Sequence, residues 1–421
     1  AFIFGHANKL YVGPRQSGAG AVRFDGDGSN REVINFTFPK DVSGTRSANA
    51  WAGAPPYPSI GATGCTAHTA SCGPDNEDGR GLFTAGTVGG VPWVAVGGGL
   101  SGGALSYVYL SPSTGPTLDF RFVEIKDALG GTIKGTSAAR FFNDRLYLGF
   151  ADSGGARPEV AALLTMPTAP GLEPVPGTQL LNLDGDKMPA IRVGNPDLLG
   201  SLLIDAMLDF GGKLYLANNG GVIRSTVGAP RPYAAFPSDW AAATPGTGYG
   251  FSLASSKTAD IEPSDRAVPA LAAVGGRLYL AHNATFAGPE LFACAPATSG
   301  SATDCDPGDW SKIATNFGAA GNGRITLLVA TAAHLYVGFD NPAGVVIYRS
   351  ATATPGASAD FRGANGCTAG PGCAGLGGNG LGASLTRLWD GVSLTFAAQE
   401  YVYVSAGTGS VPVRLFRIVD G

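Results

Sequence analysis

Three short loops hold the acidic residues best placed to do chemistry: DGDG at 25–28, DNEDG at 75–79 and DGD at 184–186. Calcium is bound by six to eight oxygens, and closely spaced aspartates beside glycine let carboxylates and carbonyls converge in a tight turn. Asp25, Asp27, Asp75, Asp78, Asp184 and Asp186 are therefore candidate ligands of a structural calcium ion. Solvated turn aspartates are the plainer reading. No EF-hand is written here, because the position of its bidentate Glu, counted from Asp25, holds Phe36. No other cofactor is expected.

Glycoside cleavage asks for two carboxylates about 5 to 9.5 Å apart. Asp205 and Asp209 fall on one expected strand, an even number apart and so on one face. Four residues at roughly 3.3 Å each separate them by about 13 Å, so they cannot serve as that pair alone. A carboxylate from another segment could complete it. Arg140, Arg324 and Arg387 lie in or near strands of the same class, and with Asp205 they are candidates to line a channel that accepts an anion. Salt bridging is the commoner outcome for such arginines.

Two further motifs fail on context. GLSGG at 99–103 matches the nucleophile elbow, which requires a strand, a turn and a helix. Here the strand-like LSYVYL follows. The overlapping glycine pattern from Gly97 to Gly102 likewise opens no helix. His6, His68, His282 and His334 read as turn or surface residues, since the sequence places no metal-ligand or general-base partners near them. His6 and His334 fall at what read as equivalent hairpin positions. The sequons at Asn35 and Asn283 are given no weight.

The six cysteines fall as three local pairs, Cys65 with Cys72, Cys294 with Cys305 and Cys367 with Cys373, each bracketing a loop of small residues. No pair has the C-x2-C spacing of a zinc site, and only His68 lies near one. Three loop-closing disulfides are expected, and with them a location outside the cell or on its surface. The formal net charge of −4, without a run of either sign, excludes a nucleic-acid footprint. No apolar run reaches the roughly 18 residues of a membrane-spanning helix. The opening AFIFGHAN lacks an initiator Met and any signal-peptide pattern, and reads as a mature or trimmed product.

The elements that must position these residues are legible from a repeat. An apolar strand such as ITLLVAT leads through a two-residue turn into a second strand of the form LYVG, then a variable loop and a third strand such as GVVIYRS. The turns are Gly211-Gly212, Gly275-Gly276, Asn143-Asp144 and Gly89-Gly90, pairs that tolerate the positive φ of primed hairpins. A fourth element begins with aspartate and an aromatic at Asp119-Phe120, Asp239-Trp240, Asp309-Trp310 and Asp360-Phe361.

Tyr11, Trp93, Tyr147, Tyr215, Tyr279, Tyr336 and Tyr403 anchor the second strands, at about 65 residues per copy. Hairpins are expected near 1–13, 82–97, 137–150, 202–217, 268–281, 325–339 and 392–406. In LYVG, Leu335 and Val337 face one way and Tyr336 the other, and both directions are apolar, as in a sheet sandwiched between neighbours. High glycine (65 of 421) with only 14% charged residues suits many short strands and tight turns. The expected fold is all-β, a single seven-bladed β-propeller over 1–421 with four-stranded antiparallel blades. The last blade lacks an outer strand in the sequence. Either it has three strands, or residues preceding Ala1 in the native protein supply the fourth.

Lys213-Leu214-Tyr215, Arg277-Leu278-Tyr279, Arg349-Ser350 and Asp360-Phe361 make the whole chain resemble secreted bacterial β-propeller repeat proteins. It departs from the kelch pattern, where the diglycine follows the second strand. Asp306 to Trp310 is similar to part of a sialidase Asp-box, without its leading Ser or Thr. The resemblance concerns architecture and licenses no activity.

On these grounds the sequence favours an extracellular or surface-displayed structural or adhesive module without catalysis, presenting its long loops to other surface proteins or glycans. An incomplete last blade would also allow self-assembly by strand exchange. The alternatives are a lectin-like propeller binding glycans or small ligands, and a propeller glycoside hydrolase or lyase.

Overall fold

A computed structural model describes residues 2–13, 22–33, 36–37, 78–99, 106–113, 118–119, 121–125, 133–152, 159–163, 166, 172–174, 180–181, 204–218, 221–230, 239–244, 268–284, 288–296, 303–408 and 411–421. Among the described residues, seven sheets built of antiparallel strands carry the chain, beside a two-stranded parallel pair of Phe36–Thr37 with Leu118–Asp119. Their first strands are Phe2–His6, Asp78–Val88, Ile133–Phe142, Ala206–Phe210, Ala270–Val274, Arg324–Ala330 and Arg387–Phe396. Each packs against the first strands of both neighbouring sheets, and Arg387–Phe396 packs on Phe2–His6. The sheets are therefore the blades of a seven-bladed propeller, and these strands are its inner strands.

Blade one and blades three to six have four strands among the described residues. Blade two has a fifth: Leu172–Pro174, from beyond the third strand of blade three, runs parallel to Arg121–Ile125 on its outer edge. Blade seven has three, Arg387–Phe396, Gln399–Thr408 and Val411–Asp420.

The hairpins form where local chemistry permits them. Gly89-Gly90, Asn143-Asp144, Gly211-Gly212 and Gly275-Gly276 all take positive φ, as primed turns require. Ala7-Asn8 and Ala397-Ala398 do the same without glycine. Blade six uses the four residues Thr331–His334 instead.

Alternation in LYVG faces two different neighbours. Leu335 and Val337 pack with blade-five residues such as Leu291 and Ala293, while Tyr336 joins a cluster with Val402 and Val404 of blade seven. Gly338 shows how closely blades approach, since a Cβ there would lie 2.5 Å from Leu388 of blade seven.

The repeated tyrosine is a latch. Its buried hydroxyl reaches the following blade: Tyr147 donates to the Pro230 carbonyl (2.9 Å), Tyr279 to Pro355 (3.2 Å), Tyr336 to Asp420 (2.6 Å) and Tyr403 to Gly26 (2.9 Å). Tyr215 instead accepts from the Cys305 amide (2.9 Å). The Tyr403 contact joins blade seven to blade one. Burial pushes the phenols of Tyr147, Tyr215, Tyr279 and Tyr403 up to about 12, so they stay neutral near physiological pH.

An arginine accompanies the tyrosine. In blades four, six and seven it stands opposite on the third strand: Arg224, Arg349 and Arg417 reach Asp306, the Gly421 carbonyl and the Asp27 carbonyl of the next blade. In blades three and five that opposite residue is Ala162 or Ala293. There Arg145 and Arg277, two residues before the tyrosine, contact the Ala229 and Thr354 carbonyls in place of it.

Candidate functional site

The ring has two faces. At the hairpin face the inner strands end in their tight turns; at the start face they begin, and their first residues meet the neighbouring blade. Arg324 and Arg387 each open an inner strand, in blades six and seven. One residue further on, a backbone amide in each strand is taken by the preceding blade. Ile325 N–H donates to Asn283 Oδ1 (2.8 Å) and Leu388 N–H to Asp340 Oδ1 (2.8 Å). The amides of Ile3 and Val268 are likewise held by Asp390 (2.9 Å) and Asp205 (3.1 Å).

Immediately after these anchored amides, both strands bulge. Ile325 pairs with Phe339 and Leu327 with Gly338, leaving Thr326 as the extra residue; Leu388 pairs with Ala406 and Asp390 with Ser405, leaving Trp389. A bulge re-aims its side chain out of strict alternation. Thr326 thereby donates its hydroxyl to Asp340 Oδ1 (3.2 Å), and Trp389 lies under the Arg387 guanidinium, 4.8 Å from the ring centre. The Trp389 indole nitrogen is buried and has no hydrogen-bond partner among the described residues.

Asp340 sits at the centre of this group. Burial pushes its carboxyl above the usual range, and the Leu388 amide, the Arg387 and Arg324 guanidiniums and the Thr326 hydroxyl draw it only partly back. Arg387 Nε lies 3.9 Å from Asp340 Oδ2. A second carboxylate, Asp390, follows two residues after Leu388, roughly 7 Å along the strand. Such a group can donate a proton, bind hydroxyls and hold a planar anion against guanidinium.

The channel candidates divide between the two faces. Arg140 lies three residues before its hairpin turn and pairs with Asp209 of blade four (Nε to Oδ1, 2.7 Å). Arg324 and Arg387 are at the opposite face. Asp205, expected on one strand with Asp209 and beside a channel, precedes the strand and is buried in the seam with blade five, where it holds the Val268 amide. Asp209 turns instead towards blade three, so these two carboxylates serve different seams.

In the 25–28 loop, Asp25 accepts from Lys9 and Asn30, and Asp27 from the Ser29 amide and hydroxyl. Tyr403 and Arg417 take the Gly26 and Asp27 carbonyls. The oxygens that a cation would draw on are bonded to protein donors, three of them from other strands. Asp75, Asp184, Asp186 and the side chain of Asp78 lie outside the described residues, as do Cys65, Cys72 and His68. Cys294–Cys305 and Cys367–Cys373 stand at disulfide distance, with Cα separations of 6.0 and 5.9 Å.

The remaining histidines are not simple surface residues. His6 ends an inner strand and meets Ser113 of blade two, while His334 closes the blade-six turn, two residues before Tyr336 as Lys9 and Arg277 stand before their tyrosines, and meets Asp420 (2.7 Å). The two positions are not equivalent. His282 is fully buried against Glu290 (3.0 Å), which also accepts from Lys312 (2.8 Å). Burial raises the Glu290 carboxyl most, yet its bonds to His282 and Lys312 outweigh that and hold it below the usual range.

Sequence reasoning missed Asp340, Thr326 and Trp389. The available signal was the repeated Arg-[Ile/Leu]-[Thr/Trp] at the start of two successive inner strands, R-I-T at 324 and R-L-W at 387.

No family model and no curated protein matches the chain. Among solved structures it is similar to the β-propeller domain of the trilobed protease from Pyrococcus furiosus, at 8% identity over 100% of this chain and 95% of that one, TM-score 0.42. It is also similar to a polysaccharide lyase, at 9% identity over 99% and 89%, TM-score 0.41. A third likeness is to an α-L-arabinanase from Cellvibrio cellulosa, at 11% identity over 82% and 93%, TM-score 0.34.

Proposed function

We propose that this chain is an extracellular propeller acting on a saccharide at the start face between blades six and seven, in the hydrolase or lyase class. One observation carries the reading. Inner strands of adjacent blades bulge at matching positions and gather Thr326, Trp389, Arg324 and Arg387 around a carboxyl that burial favours in its protonated form.

Each part has a use. A carboxyl that keeps its proton to higher pH is suited to general-acid chemistry. The buried indole N–H can donate to a sugar hydroxyl, and the guanidiniums can hold a carboxylate or a developing anion. Asp390 lies on the same strand as Leu388 but holds the Ile3 amide in the seam with blade one. The two cysteine pairs at disulfide distance support the extracellular part of the reading.

The test is incubation of the purified chain with neutral and acidic polysaccharides. Release of reducing ends would report hydrolysis, and ultraviolet absorbance of an unsaturated product would report elimination. Turnover should vanish in Asp340→Asn and fall in Trp389→Ala. Saturable glycan binding without turnover would leave only a receptor, and neither binding nor turnover would return the chain to the adhesive reading.

A further inference from the structure

We infer that the Cys367–Cys373 pair is a redox switch for the start face of blades six and seven. Closed as a disulfide, it fixes the connection that leads into that face; opened to two thiols, it frees that connection. The switch does not need the saccharide reading, and only its effect on turnover rests on it.

The connection runs over 363–386, from the outer strand of blade six at Phe361–Arg362 to the inner strand of blade seven at Arg387–Phe396. Nine of its residues are glycine, so ordering it costs more backbone freedom than an ordinary loop would. It keeps its path by bonding to blade six. Leu376 N–H donates to the Ile347 carbonyl (2.6 Å), Gly380 N–H to Val345 (2.8 Å), Val345 N–H to Leu385 (2.7 Å) and Asn341 N–H to Thr386 (3.2 Å). The last bond matters most, because Asn341 directly follows Asp340 and Thr386 directly precedes Arg387. The path of the connection therefore sets where Arg387 Nε stands relative to Asp340 Oδ2, 3.9 Å away.

The cysteine pair fixes the first half of that path. The Tyr348 hydroxyl donates to the Cys373 carbonyl (3.4 Å), and the Ala364 amide to the neighbouring Ala374 carbonyl (3.2 Å). Cys367 and Cys373 pack with Phe317 and Phe361 in the cluster shared by blades five and six. Leu376, Leu381 and Leu385 pack instead with Val402 and Val404 of blade seven. The bridge is thus the last covalent hold before the chain crosses from one seam to the next. Cutting it returns to a glycine-rich segment the freedom that a closed loop removes, and the amides bonded to that segment then open more often.

Access separates this pair from the other. Cys294 and Cys305 are both 0% exposed, and the Cys305 amide and carbonyl are taken by Tyr215 and Arg224 of blade four. Around Cys367 and Cys373, by contrast, Asn365, Gly366, Thr368, Pro371 and Gly372 are exposed. Exchange requires a thiolate to reach a disulfide sulfur, so a small thiol meets this pair first. Opening takes two electrons and two protons from an external dithiol, which closes to its own disulfide. Closing passes the electrons to a low-molecular-weight disulfide such as oxidised glutathione, which leaves as two thiols.

The test treats the whole chain with limiting dithiothreitol, labels it with iodoacetamide and follows peptides by mass spectrometry, with backbone hydrogen exchange measured on the oxidised and reduced forms. Label should appear on Cys367 and Cys373 while Cys294 and Cys305 stay bridged. Exchange over 341–346 and 385–388 should quicken by about tenfold or more, and stay within about twofold over 213–217 in blade four. Cys367→Ser combined with Cys373→Ser should reproduce the quickening without a label, and oxidised glutathione should reverse it in the unlabelled reduced chain. Faster exchange with no turnover in either form would support the switch and count against the saccharide reading. Unchanged exchange over 341–346 after reduction, or equal labelling of Cys294 and Cys305, would overturn the inference. So would equal loss of protection in blade four, since the pair would then hold the whole fold.

Discussion

The two faces of the ring use the same residue types to different ends. At the hairpin face, Arg140 meets Asp209 in a pair whose side chains are 36% and 46% exposed, and water shares in solvating both. At the start face, Asp340 is largely buried, holds the Leu388 amide of the next blade and lies within reach of two guanidiniums. An exposed pair contributes little because solvent screens it. A buried carboxyl is costly unless bonded, and its protonation becomes sensitive to what surrounds it. The buried carboxyl thus lies at the start face, where the inner strands of blades six and seven bulge at Thr326 and Trp389.

The largest expected effect breaks the start face itself. Asp340→Ala leaves the buried Leu388 amide without its acceptor, and should cost about 1–3 kcal/mol in a urea titration while abolishing turnover. Gly338→Ala should follow, because the new Cβ would crowd Leu388 and Leu327; overpacking of this kind costs about 1–3 kcal/mol. Its hairpin-face counterpart, Gly276→Ala, meets no atom within 4 Å and pays only for its left-handed backbone, about 1–2 kcal/mol.

The latches common to both faces come next. Tyr279→Phe removes one buried hydroxyl bond and should lower stability by about 1 kcal/mol, read from the denaturant midpoint. Arg140→Ala should have the smallest effect, within about 1 kcal/mol and without change in turnover. Loss of activity in Arg140→Ala with none in Asp340→Ala would invert the comparison.

Acid titration separates two buried carboxyls by sign. Asp340 is raised in the folded chain, so its contribution is present below the unfolded value and is lost as pH rises through the folded value. Glu290 is lowered, so its contribution is present above the ordinary value and is lost as pH falls through the folded value. Denaturant midpoints followed across the acid range should show Asp340→Asn removing the first dependence and Glu290→Gln the second.

How much of this could be read beforehand depended on the range of the interaction. Asn143-Asp144 and Gly211-Gly212 declare a turn within two residues, because positive φ is a property of the residues themselves. The tyrosine of LYVG was visible as a buried anchor but not as a latch, since its acceptor lies in another blade: Pro230 for Tyr147, Gly26 for Tyr403. Asp205 and Asp209 were placed on one face by alternation, but Asp205 precedes the strand, and the two carboxylates meet different neighbouring blades. Nothing local marks Trp389 as a bulged residue, because a bulge is a mismatch between two strands.

The sequence by itself determined most of the strands, four of the seven hairpin turns, the number of blades and the apolar faces that each blade offers the next. These follow from backbone preferences and from side-chain alternation, which act over a few residues. Only the tertiary structure decided that Asp340 would meet Leu388, 48 residues away, and that blade two would gain a strand from beyond the third strand of blade three. Those outcomes depend on how closed sheets pack round a ring, where partners distant along the chain become neighbours and the burial of a charge is set by the blade beside it.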